Sequence, residues 1–179
     1  MPDGDPGPYQ PGETALLAVI DEAEPLVGHW RRRFDSGAAL GIPPHVTVLY
    51  PFLAVERIAS PVLDELTIVL GDHRSFAVRF GECRRFPGVL YLAPAPDQPF
   101  RALTESVAAR WPEAPPYRGQ YADVIPHMTI AHGQEAEVLR EVETVLSARL
   151  PVEAQVSVVS LFVNDGERWL RHADFPLLA

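Results

Sequence analysis

The 179-residue sequence predicts an α+β fold. Three observations point there. Apolar runs of strand length are interspersed with stretches of helical periodicity. Hairpin signals lie among them, the clearest at Asn164-Asp165-Gly166. A five-residue pattern also occurs twice, as Pro44-His45-Val46-Thr47-Val48 and Pro126-His127-Met128-Thr129-Ile130. Each half of the chain holds one copy together with helices and a hairpin. That arrangement predicts an internal duplication, although identity between the halves is negligible outside the motifs.

In chain order, the opening MPDGDPGPYQPG is rich in Pro, Gly and Asp and predicts a flexible tail over 1–12, with one folded unit over 13–179. Residues 14–20 form an apolar run of strand length. A helix to Phe34 follows, its apolar face built from Ala23, Leu26, Val27, Trp30 and Phe34. Arg31, Arg32 and Arg33 fall in its last turns, where cations suit the helix dipole, and are expected to form a solvated basic end, with phosphate steering as the alternative.

The first motif strand covers 45–50 and is stopped by Pro51; a helix follows between Val55 and Leu70, with Pro61 near its start. Residues 76–83 and 89–92 read as a hairpin with a long turn through Phe86-Pro87-Gly88. Pro94, Pro96 and Pro99 precede a helix over about 100–111, and 112–124 is expected to be a loop. The second motif strand covers 127–132 and its helix about 135–149. Strands over 156–163 and 168–175 close the chain.

Composition excludes several classes of function. All fifteen basic residues are Arg, so lysine chemistry, including nucleotidyl transfer through a lysyl adduct, is barred. A net charge of −9 argues against charge-driven binding to long duplex nucleic acid, while leaving room for a local basic cleft. No stretch approaches a membrane span. The start of the chain has neither the basic nor the apolar region of an export signal, and Cys83 is the single cysteine. A cytoplasmic monomer is therefore expected. Cys83, in an alternating strand segment, is a poor candidate nucleophile. No Cys or acidic cluster has zinc-ligand spacing, and neither a metal nor a cofactor is implied.

The motifs carry the chemistry. In a strand, residues i and i+2 share a face, so His45 pairs with Thr47 and His127 with Thr129. At a rise of about 3.3 Å per residue each pair can converge on a group of phosphate size. A Thr should follow a His at +2 about once in thirty cases here, so two occurrences with a shared preceding Pro are not a chance pattern. His132 lies five residues beyond His127, and strand alternation places it on the opposite face, packed or hydrogen-bonded.

PHVTVLYPF and PHMTIAH resemble the two signature motifs of the two-histidine (2H) phosphoesterases, the family of the 2′-5′ RNA ligases and 2′,3′-cyclic phosphodiesterases. Members carry two His-x-Thr/Ser motifs roughly eighty residues apart, and His45 and His127 are 82 apart. The Leu49-Tyr50-Pro51-Phe52 continuation and the Arg85-Phe86-Pro87-Gly88 turn add to the resemblance. It implies two pseudo-twofold lobes, each an antiparallel sheet backed by helices, with the motif strands facing across a cleft.

The expected activity is metal-independent hydrolysis of a cyclic phosphodiester, a 2′,3′-cyclic phosphate on a nucleotide or RNA end. His45 and His127 would serve as general acid and base, in an order left open, and Thr47 and Thr129 would bind the phosphate. The alternatives are 2′-5′ joining of RNA ends by the reverse reaction and a non-catalytic binder of phosphate-ended nucleotides or RNA. Base recognition needs aromatic or Arg faces, and Tyr50, Phe52, Tyr117, Arg118 and Tyr121 are the candidates beside the motifs.

Overall fold

Two four-stranded antiparallel sheets form the scaffold of the computed structural model, which describes residues 9–179. The strands are β1 (Thr14–Val19), β2 (His45–Leu49), β3 (Phe76–Phe86), β4 (Val89–Ala95), β5 (Met128–His132), β6 (Val152–Val156), β7 (Val158–Asn164) and β8 (Trp169–Pro176). The helices are α1 (Glu24–Phe34), α2 (Ser36–Ala39), α3 (Ser60–Gly71), α4 (Gln98–Arg110) and α5 (Ala136–Ser147). One sheet has the order β2-β1-β7-β8 and the other β5-β4-β3-β6, so each motif strand is an edge strand of its own sheet. The β1-α1-β2 and β4-α4-β5 units correspond, and the two lobes follow one pseudo-twofold plan.

Apolar alternation explains the layers. Leu16, Ala18, Val46 and Val48 of the first sheet and Leu90, Leu92, Met128 and Ile130 of the second turn to one side of their sheets. There they join Leu26 and Val27 of α1, Leu66 and Leu70 of α3, Leu103 and Val107 of α4, and Leu139, Val142 and Leu146 of α5 in one continuous core. The helices cross between lobes: α1 packs along β5 and α4 along β2. No helix among the described residues is long and apolar enough to cross a membrane.

Several sequence expectations change. Of the tail expected over 1–12, residues 1–8 lie outside the described residues. The following residues are tied down, with Gly12 N–H donating to Asn164 O at 2.8 Å and Tyr9 meeting Tyr50 and Trp169 edge to face. The helix expected between Val55 and Leu70 divides into a single turn at Val55–Arg57 and α3, with Pro61 in the first turn of α3, where its missing N–H costs no bond. The β3–β4 turn is tight rather than long, because Phe86 pairs directly with Val89. β6 was not expected at all: its polar Glu153 and Gln155 alternate with Val152, Ala154 and Val156 on an edge strand.

Arg31 is the largest departure. It is 2% exposed and lies inside the molecule, whereas Trp30 and Phe34 are only partly buried.

Candidate active site

The two motif strands face each other, their Cα atoms approaching within 8 Å. On the cleft side of the first sheet, His45 lies opposite Val19 and Thr47 opposite Leu17. On the second, Thr129 lies opposite Tyr91. Both strands then carry a bulge one residue past the Thr: Val48 has no partner between Thr47↔Leu17 and Leu49↔Leu16, and Ile130 none between Thr129↔Tyr91 and Ala131↔Leu90. An extra residue reverses the alternation beyond it. His132, paired with Val89 two residues from Tyr91, therefore returns to the face of Thr129, and the opposite-face expectation is corrected.

The histidines are locked in the same way. His45 Nδ1 lies 2.8 Å from Pro43 O, and His127 Nδ1 lies 2.7 Å from Ile125 O. A carbonyl only accepts, so each Nδ1–H donates and each Nε2 is the atom that takes up or releases a proton. The shared prolines contribute here. Pro44 and Pro126 bias Pro43 and Ile125 toward extended backbone, two residues before the ring that each carbonyl holds.

Burial lowers both imidazole pKa values. His45 falls to about 3, first through burial, then through the Arg31 guanidinium and the neighbouring His127, against the opposing pull of the Pro43 carbonyl. His127 is lowered by burial and partly restored by its bond to Ile125. Two aromatic rings enclose His127: Phe86 at 5.3 Å and Tyr91 at 5.5 Å between centroids, themselves stacked at 4.3 Å.

Of the residues proposed for base recognition, Tyr117 comes nearest to a motif. Its backbone N–H donates to Tyr50 O at 2.7 Å, and burial pushes its phenol up to about 12 against the opposing influence of the Thr47 hydroxyl beside it. Tyr117 and Arg118 adopt left-handed backbone (φ 49° and 57°), which costs about 1–2 kcal/mol for each residue with a side chain. That strain marks the expected 112–124 loop as a held turn at Pro116–Gly119. Tyr121 stands edge to face with Tyr117 at 5.6 Å.

Tyr50 lies on the cleft side but is 8% exposed, and its hydroxyl donates to Glu13. Arg118 is engaged by Glu13 at 2.6 Å. Phe52 is the clear correction. It points into the main core against Trp111, at 5.2 Å, where no substrate base can stack on it.

Sequence reasoning missed Arg31, Phe86 and Tyr91. Arg31 follows Val27 by four residues and Ala23 by eight, so helical spacing already placed it on the buried face. Phe86 and Tyr91 reach His127 only through strand register, which no local signal reveals.

The sequence matches the family described as the 2′-5′ RNA ligase superfamily over residues 19–168. The chain belongs to that superfamily. Among solved structures, Escherichia coli LigT complexed with 3′-AMP is similar at a TM-score of 0.63 and 14% identity, over 95% of this chain and 100% of that one. TT0787 of Thermus thermophilus is similar at 0.61 and 17%, over 92% and 97%. A structure described as a phosphoesterase aligns at 0.61 and 14%, over 95% and 100%. These likenesses establish the LigT-like fold. No curated protein matches the sequence.

Proposed function

We propose that this superfamily member is a phosphodiesterase that hydrolyses a cyclic phosphodiester, a 2′,3′-cyclic phosphate on a nucleotide or RNA end, without a metal. The observation that carries the reading is the pair of equivalent imidazoles, each fixed through Nδ1 by a backbone carbonyl, which leaves Nε2 as the proton-exchanging atom of each. One Nε2 accepts a proton from water as the water oxygen bonds to phosphorus. The other donates a proton to the ribose oxygen as its bond to phosphorus breaks. Thr47 and Thr129 hydroxyls donate to the non-bridging oxygens, where charge rises in the transition state.

The proton transfers are assigned to the imidazoles, whose Nε2 atoms are left to exchange protons once each Nδ1–H is held by a carbonyl. Crystal complexes of Escherichia coli LigT with 3′-AMP and with phosphate support a nucleotide phosphate as the ligand class. The lone Cys83 suits a reducing compartment, and we place the protein in the cytoplasm.

The test is incubation, with EDTA present, with the four nucleoside 2′,3′-cyclic monophosphates and with a short RNA ending in a cyclic phosphate. Turnover lost in both His45→Ala and His127→Ala is expected, and turnover retained in both would refute the mechanism. The superfamily's name raises the reverse reaction, 2′-5′ end joining. Adding an RNA with a 5′-hydroxyl to the same mixture reports it. Binding of these ligands with no turnover in either direction would make the protein a binder.

A further inference from the structure

Three arginines follow one another at the end of α1, but only one is inside the protein. Arg32 is exposed and paired with Glu24, and Arg33 lies over the Phe34 ring at 5.0 Å. Arg31, 2% exposed, makes three directed bonds: Nε donates to Thr129 O at 3.0 Å, Nη1 to Ile42 O at 3.1 Å, and Nη2 to Asp35 Oδ2 at 2.8 Å. Thr129 is the phosphate-facing residue of the second motif. Ile42 directly precedes Pro43, whose carbonyl holds the His45 ring.

We propose that Arg31 is a positioning residue for the two-histidine reaction, a single planar group that ties the second motif strand to the approach of the first and so fixes how the two imidazoles face each other. This inference rests on the phosphodiesterase reading. Arg31 touches backbone carbonyls and a carboxylate, not the reacting atoms.

Two arguments support it. A guanidinium presents its donors in a rigid fork, so bonds to Thr129 and Ile42 set a distance between two chain segments that a flexible side chain could not set. A buried ion pair is also a weak device for stability, because taking both charges out of water offsets their attraction. Its presence between the motifs is better explained by what it orients. The cation has a second consequence. The charged or titratable groups facing His45 are Arg31 from α1 and His127, the residue directly before β5, and both oppose a proton on His45. Both add to the effect of burial, which is the larger cause of the lowered proton affinity of His45.

The experiment compares the wild type with the double variant Arg31→Met/Asp35→Asn and with Arg31→Lys. The double variant removes both charges together and keeps an oxygen to accept from Gly37 N–H at the start of α2, so the fold is expected to survive. Two readouts are taken: an NMR titration of the His45 imidazole, which needs no substrate, and steady-state kinetics on the cyclic phosphates.

In the double variant the His45 midpoint is expected to rise toward the ordinary imidazole value, and kcat to fall about tenfold to a hundredfold while KM stays within about threefold. Arg31→Lys should return the midpoint toward that of the wild type without restoring kcat, because an ammonium lacks the fork. Should the double variant fail to fold, that split in Arg31→Lys carries the test. Wild-type kcat in either folded variant would overturn the positioning role. A wild type that turns over none of the substrates, with the His45 midpoint still shifted in the double variant, would overturn the phosphodiesterase reading and support the hold of Arg31 on His45.

Discussion

The β1-α1-β2 and β4-α4-β5 units copy each other in the groups that face the cleft and differ in what surrounds them. Both place a His-x-Thr pair on an edge strand, fix the ring through a carbonyl two residues earlier, and bulge one residue after the Thr. Around His45 the neighbours are a buried cation and a second imidazole; around His127 they are two aromatic rings. Thr47 has the Tyr117 hydroxyl beside it, presented from a strained turn. The duplicated motif thus supplies two chemically equal groups and sets them in unequal surroundings. Acid and base roles arise in this way when two like groups sit in unlike environments.

The largest effect tests the equality. His45→Ala and His127→Ala should each lower kcat/KM by about 10²–10⁴-fold, since each removes a proton-transfer group. Similar losses, measured on one cyclic phosphate, would establish that both halves act in the same step. A variant that keeps half of the parent's activity would break the correspondence between the lobes.

Next in size are the threonines. Thr47→Val and Thr129→Val should each slow kcat about tenfold to a hundredfold, the loss of one hydrogen bond to a charged oxygen. The Tyr117 contact then separates the lobes. Tyr117→Phe should cost only a few-fold in kcat, on the order of one neutral hydrogen bond, and should leave no further loss when added to Thr47→Val while adding fully to Thr129→Val. Full additivity with both would show that Tyr117 does not act through Thr47.

The unequal imidazoles also predict a pH signature in stability. In the unfolded chain each His titrates near 6.5, and in the fold both are lowered. Between the folded and unfolded values the unfolded chain binds more protons, so stability rises with pH there. For His45 this contribution is fully present above about 6.5 and is lost as the pH falls toward about 3, at up to about 1.4 kcal/mol per pH unit for one proton. Thermal melts from pH 7 to pH 4 should show a falling midpoint, flattened by His45→Gln and by His127→Gln alike in direction. A pH slope unchanged in both variants would show that neither imidazole is suppressed in the fold.

This asymmetry is the part of the molecule that the sequence hides. The strand and helix order was legible because β1 is one apolar run of strand length and apolar spacing of two or of three to four residues survives in β2, β5, α1 and α5. The four motif residues were legible because they recur. What escaped depends on pairing between distant segments. The bulges at Val48 and Ile130 show only in register, so alternation counted through them put His132 on the wrong face. Tyr91 reaches His127 because β4 pairs with β5. Phe52 sits directly after the motif region yet faces the core, since neighbourhood in sequence does not fix direction past a turn. Arg31 was masked by its company, as two exposed arginines beside it suggested a solvated end.

The smallest predicted effect concerns the other half of the crossed helix arrangement. α4 bonds to β2 as α1 bonds to β5: Thr104 Oγ1 donates to Val48 O at 2.6 Å, where Arg31 donates to Thr129 O. Val48 is the bulged residue, and its carbonyl has no ladder partner on the open edge of the sheet. Thr104→Val keeps the side-chain shape and removes the donor. It should destabilise by about 1 kcal/mol, lowering the melting midpoint by about 2–4 °C in a chain of this size. Because a hydroxyl also bonds Phe100 O within its own helix, the grip on β2 is looser than the guanidinium's on β5. Thr104→Val should therefore leave kcat within about twofold of the parent, whereas the Arg31 variants do not. Equal losses of kcat from the two helices would mean that both lobes are positioned alike, and that the inequality between them lies only in the surroundings of the imidazoles.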